Sequence, residues 1–158
     1  MSARSETLAK QFEAKAAEMT STLEKLSDAD WKKPTAEKWT VGVTAHHAAG
    51  SHEPIAGIVT TIANGKAMPP FTMAMLDEGN AKHAVEFANC TKADTLALHK
   101  KGVATAAAAV RALSDAQLDR SGAPLVGMPA MTAQQLIEGV LIHHIDEHLG
   151  SIKKAIAG

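Results

Sequence analysis

Between residues 5 and about 26, the apolar positions Leu8, Phe12, Ala16, Met19, Leu23 and Leu26 recur every three or four residues. That spacing is the stripe of an amphipathic helix. A second stripe, Val41, Thr44, Ala48, Ile55, Ile58 and Ile62, predicts a helix over Val41–Ala63, with Thr40 as its N-cap and Asn64-Gly65 as its stop. Pro54 lies inside it, and an interior proline removes a backbone hydrogen bond, so a bend or break just before that residue is expected. The intervening SDADWKKPTAEKW reads as a packed loop anchored by Trp31 and Trp39. After a crossing loop through Met68-Pro69-Pro70, residues 73–89 carry a weak helical pattern. Thr91-Lys92-Ala93-Asp94 resembles a capping box with Asp in the Glu position, and it opens a helix to about Leu113 with a small apolar face of Leu96, Val103, Ala107, Val110 and Leu113. Residues 114–130 are turn-rich. A second capping box, Thr132-Ala133-Gln134-Gln135, then opens a final helix to about Ala157. The economical architecture is an all-α four-helix bundle with a long connection between its second and third helices.

The length, 158 residues, suits one domain spanning 1–158, able to bury about 70% of the surface that its unfolded chain exposes. Sixteen basic residues against seventeen acidic ones, a net charge of −1, leave no basic stripe, which argues against nucleic-acid binding. Cys90 stands alone, so there is no internal disulfide, and a small buried residue is its expected role. The N-terminus (MSARSETLAK) is polar and no apolar run approaches the roughly 20 residues of a membrane span. A cytoplasmic setting is expected. Abundant alanine with three Phe, two Trp and no Tyr favours close helix packing, with methionines such as Met68, Met73 and Met75 filling core gaps or a loop. No GxSxG, HExxH or phosphate-binding glycine loop is present.

The chain carries eight histidines, most of them in two short segments. Side chains four apart on a helix lie about 40° apart on one face, so His144 and His148 can converge on one ion. On the last helix Ile137, Leu141, Ile145, Ile152 and Ile156 face the core, both of these histidines edge that arc, and His143 faces solvent. On the second helix a heptad reading places His47 beside the seam and His46 outward, with His52 on the other flank as a second choice. His83 and His99 have no partner at ligand spacing and are read as surface residues. Imidazole is a common ligand for zinc, nickel, copper and iron. Any one of these histidines alone is better read as a partly buried, hydrogen-bonded side chain, whereas for His144 with His148 the two readings stand about even. Asp146 and Glu147 are read as parts of a solvated helix face.

The segment WTVGVTAHHAA, with His47 eight positions after Trp39, resembles the second-helix signature of the DinB/YfiT-like superfamily, and HHIDEHLGSI is similar to its closing motif. The resemblance covers nearly the whole chain. It implies an up-down-down-up bundle, commonly a homodimer, whose three metal-binding histidines fall on His47, His144 and His148 and take zinc or nickel. It also implies metal-dependent transfer or isomerisation chemistry using mycothiol, bacillithiol or glutathione. MLDEGNAKHA is similar to a stretch of the mycothiol-type branch that lines the cavity, which brings in Asp77 and Asn80. The chain is shorter than the mycothiol-dependent maleylpyruvate isomerases, which carry a further C-terminal domain. The leading expectation is a metal-dependent transferase that activates a low-molecular-weight thiol against a small-molecule electrophile. A metal-dependent hydrolase, or a non-catalytic metal-stabilised bundle that binds a small molecule, would use the same three residues.

Overall fold

The computed structural model describes residues 2–158. Four long helices form the bundle: α1 (Ala3–Glu24), α3 (Val41–Ala63), α5 (Lys92–Arg111) and α8 (His143–Ala157). Shorter elements join them: α2 (Asp28–Trp31), α4 (Met73–Glu86), α6 (Asp115–Leu118), a two-residue antiparallel pairing of β1 (Ser121–Gly122) with β2 (Met131–Thr132), and α7 (Ala133–Leu136). Contacts at the helix ends fix the directions. Lys92 Nζ reaches Leu26 O and Arg111 pairs with Glu6, so α5 runs against α1. Trp31 lies on Gly42 and bonds Cys90 O, which joins the starts of α3 and α5, and Gly50 lies against Leu98 further along both, so α3 runs parallel to α5. Arg4 bonds Gln134 and Lys153 bonds Glu18, so α8 returns alongside α1. The course is up-down-down-up. No helix among the described residues is long and apolar enough to cross a membrane.

Local chemistry explains most boundaries. Thr40 Oγ1 accepts the Val43 N–H at the start of α3, and Thr132 with Gln135 closes the expected reciprocal cap of α7. At Thr91 only half of the expected box forms: its hydroxyl accepts the Asp94 N–H, and Asp94 gives nothing back. Gly65, at φ 69°, ends α3 by donating to Ile62 O. Two segments expected to be irregular contain short capped helices, α2 with a Ser27/Asp30 box and α6 with a Ser114/Gln117 box.

α3 runs through Pro54 without breaking. The carbonyl four residues earlier belongs to Gly50, and both residues are exposed, so water can take the freed acceptor. The last helix also departs from a uniform spiral. Between α7 and α8, Ile137–Ile142 form a π-helical turn, wider than an α turn. In a regular helix residues 137, 141, 145 and 149 would drift about 40° per step, and the wide turn offsets that drift. All four of these apolar side chains lie buried in consequence.

Trp31 anchors the α2–α3 connection. Its Nε1–H donates to Cys90 O at 2.9 Å, and its indole lies directly on Gly42, where a Cβ would overlap it. Helix propensity favours alanine over glycine by about 1 kcal/mol, but overpacking a filled site and losing the indole bond weigh more. Gly42→Ala is expected to lower stability by about 1–3 kcal/mol net in denaturant unfolding.

Candidate metal centre

The first turns of α3 are buried on all sides. Val41 through His46, Ala48 and Ala49 are buried and His47 is half-buried, because α2, α4, α5 and α8 surround this segment. The histidines of α3 therefore point into three different neighbours.

His47 faces α8. Its Nε2 lies 3.2 Å from His144 Nε2, which lies 3.1 Å from His148 Nε2, and one ligand atom from each of the three falls within 4.8 Å of the others. A neutral imidazole nitrogen carries one proton or one lone pair, so His144 Nε2 can make only one of its two short contacts a linear hydrogen bond. Charging a ring does not resolve this. Burial, reinforced by neighbouring His148, pushes His47 down to about 4 and His144 down to about 3, and burial lowers His148 as well. His144 Nδ1 and His148 Nδ1 are buried without hydrogen-bond partners. A cation among the three Nε2 atoms would accept every lone pair. Nitrogens about 2.0–2.1 Å from a tetrahedral ion lie roughly 3.3 Å apart, close to the spacing found here. The donor set fits a divalent metal.

Two residues of the 34–40 connection flank the cluster. The Trp39 ring packs against His47 at 5.1 Å between centroids. Glu37 accepts the Ser151 hydroxyl at 2.7 Å and lies 3.5 Å from His148 Nδ1. Burial works to raise the Glu37 carboxyl, but the hydrogen bond from Ser151 and the polar groups around it outweigh that and leave the group below its usual range. Nothing in local spacing marked Glu37, because its approach to α8 depends on tertiary folding.

The remaining histidines correct the sequence reading. His46, expected to face outward, is buried, with Nδ1 at 2.7 Å from His83 Nε2 and its ring stacked on Phe87 at 4.1 Å. His83, expected at the surface, is half-buried and lies 5.8 Å from His47 between ring centroids. α4 has no buried residue of its own, yet through His83 and Phe87 it covers this side of α3. His99, also expected at the surface, is 1% exposed. It sits between His52 Nε2 at 2.9 Å and Ala16 O at 2.9 Å. α5 contacts both α1 and α3, so its buried arc is wider than one apolar stripe and takes in Thr95, His99 and Gly102. His52, the second choice as a ligand, lies within this pair, edge-on to Phe12, and is no member of the three-histidine group.

The other residues singled out lie apart from the cluster. His143 is exposed. Asp77 is exposed on α4, and Asn80 is half-buried one turn before His83. Cys90 is half-buried, and burial raises its thiol, which disfavours the thiolate. Met68 packs on the core, whereas Met73 and Met75 are exposed on α4.

The family model described as the mycothiol maleylpyruvate isomerase N-terminal domain matches residues 12–146. Among solved structures, the chain is similar to YfiT from Bacillus subtilis, described as a probable metal-dependent hydrolase with an unusual four-helix bundle topology. The TM-score is 0.79 at 20% identity, over 98% of this chain and 87% of that one. It is also similar to a mycothiol-dependent maleylpyruvate isomerase, at a TM-score of 0.76 and 13% identity, over 96% of this chain. The chain spans 63% of that isomerase's length. No curated protein matches.

The buried His52–His99 pair predicts acid sensitivity. Burial, with His99 nearby, pushes His52 down to about 3 from an ordinary 6.5, and His99 is lowered too. Between those limits the unfolded chain binds more protons than the folded one, so this contribution is complete above pH 6.5 and is lost as the pH falls toward 3. The thermal unfolding midpoint should drop across that window. A His52→Leu/His99→Leu double variant should show a shallower drop.

Proposed function

We propose that this chain, which belongs to the mycothiol maleylpyruvate isomerase N-terminal domain family, holds one divalent ion, zinc or nickel, between His47, His144 and His148 and serves as a metal-dependent thiol transferase. The observation that carries the reading is the convergence of three neutral imidazoles, one buried and two half-buried, with ligand atoms within 4.8 Å of one another. Their depressed basicity keeps the lone pairs free of protons at neutral pH, as a metal ligand requires. When bound, such an ion acts as a Lewis acid that makes a low-molecular-weight thiol a nucleophile near neutral pH.

The protein's own part is to hold and to enclose. α3 and α8 fix the three imidazoles from opposite sides, which leaves a fourth direction free of protein ligands among the described residues. Trp39 and His83 set their rings against His47, with His46 and Phe87 packed behind His83, surroundings that limit access of water to the cluster. Mycothiol is the thiol that the family's description names, which favours a thiol over water as the activated group. The same three donors would equally serve a hydrolase, so the assay must separate the two.

Elemental analysis of protein purified without an affinity tag should find about one zinc or nickel per chain, reduced to a trace in a His47→Ala/His144→Ala variant. Ion at 100 times its dissociation constant should stabilise the wild type by about 2.7 kcal/mol and leave the variant unmoved. Equal traces in both would defeat the reading. With metal established, conjugation of mycothiol, bacillithiol or glutathione to a model electrophile is the expected activity. Ester or amide hydrolysis without conjugation would move the assignment to the hydrolase class.

A further inference from the structure

Glu37 is delivered to the histidine cluster by a closely specified turn. Thr35 donates its N–H to Trp39 O at 2.7 Å and its hydroxyl to the same oxygen at 3.1 Å, Lys38 N–H donates to Thr35 O, and Val41 N–H to Lys33 O. Lys38, at φ 67°, is the one non-glycine residue with positive φ among the described residues. That conformation costs about 1–2 kcal/mol for a residue with a Cβ, and it persists where the surroundings dictate it.

The turn puts Glu37 against one face of α8. Ser151 lies three residues after His148, so the two side chains are neighbours on that helix. Ser151 donates to Glu37 Oε1 at 2.7 Å, and the same oxygen is 3.5 Å from His148 Nδ1. Glu37 Oε2 and His148 Nδ1 are both buried without a hydrogen-bond partner. Glu37 Oε1, which keeps a second lone pair beside its Ser151 bond, thus faces a buried ring nitrogen that has no partner, in surroundings where leaving that nitrogen unpaired costs about 1–3 kcal/mol.

We infer that Glu37 is a positioning residue for His148: its carboxylate takes the Nδ1–H of that ring and so fixes the tautomer whose bare Nε2 faces His47 and His144, while Ser151 steadies the carboxylate. This rests on the metal reading given above. Carboxylates in this position orient metal-ligating histidines and raise their basicity, and their removal typically weakens metal binding 10- to 100-fold. The 3.5 Å separation is long for a hydrogen bond, and slight rotation of the ring or the carboxylate closes it.

The test uses the full chain in two measurements. In metal-free protein labelled with 15N, long-range proton–nitrogen correlation at pH 7.5 should show wild-type His148 protonated at Nδ1, and shifted toward the Nε2–H form in Glu37→Ala. In zinc titrations against a chelator of known affinity, Glu37→Ala should bind about 10- to 100-fold more weakly. Glu37→Gln should fall between, because its amide oxygen can still accept. A wild-type His148 protonated at Nε2 overturns the inference, even if Glu37→Ala does not fold. So does a folded Glu37→Ala variant with unchanged tautomer and zinc affinity, which would mark Glu37 as a mere tie between turn and helix. A wild type that binds no zinc removes the metal reading instead, and the tautomer alone then decides for Glu37.

Discussion

His144 Nε2, held 3.2 Å from His47 Nε2 and 3.1 Å from His148 Nε2, crowds three ring nitrogens that repel one another unless a positive or protic group lies among them, and the helices around α3 impose this approach. Gly42 admits the Trp31 indole against the start of α3, which seats the 34–40 connection. That connection carries Trp39 onto His47 and Glu37 to within 3.5 Å of His148. The π-helical turn before α8 keeps Ile137, Leu141, Ile145 and Leu149 in the core, and His144 and His148 are thereby held facing α3. The cluster is thus imposed by core packing on both sides.

His52 with His99 ties α3 to α5 and, through Ala16 O, to α1, while His46 with His83 ties α3 to α4. The one short contact in each pair is served by one N–H donating to one ring nitrogen, although His83 Nδ1 is left buried without a partner. The third group has one contact more than the single proton or lone pair at His144 Nε2 can serve. The same residue type, buried in the same helix, therefore plays two roles, and counting donors and acceptors separates them. Family membership agrees with the fold this packing produces.

Most of the architecture was legible in the sequence. Helical periodicity, the Thr40 and Thr132 caps and the Asn64-Gly65 stop placed the long helices, because short-range chemistry sets those features. His47, His144 and His148 were legible through spacing and resemblance together, and the structure brings those three side chains to one point. The heptad reading of α3 misjudged His52. On a straight α-helix heptad positions drift by about 20° per repeat, and residue 52 lies only about 20° from the direction of Val41, near the seam itself. His46, His83 and His99 were misplaced for another reason: their burial comes from α4 and from the two-sided packing of α5, whose alanines and glycine carry little hydropathic signal. Glu37 depends on a left-handed residue at Lys38, a conformation that a lysine codon does not announce.

The claim at the centre of this account is that one divalent ion sits among three Nε2 atoms. Crystals grown with zinc, measured just above and just below the zinc absorption edge, test it directly through the anomalous difference map. The account predicts one dominant peak about 2.0–2.1 Å from the Nε2 atoms of His47, His144 and His148. A zinc-bound crystal whose peaks all lie elsewhere, with these three imidazoles unliganded, would contradict it.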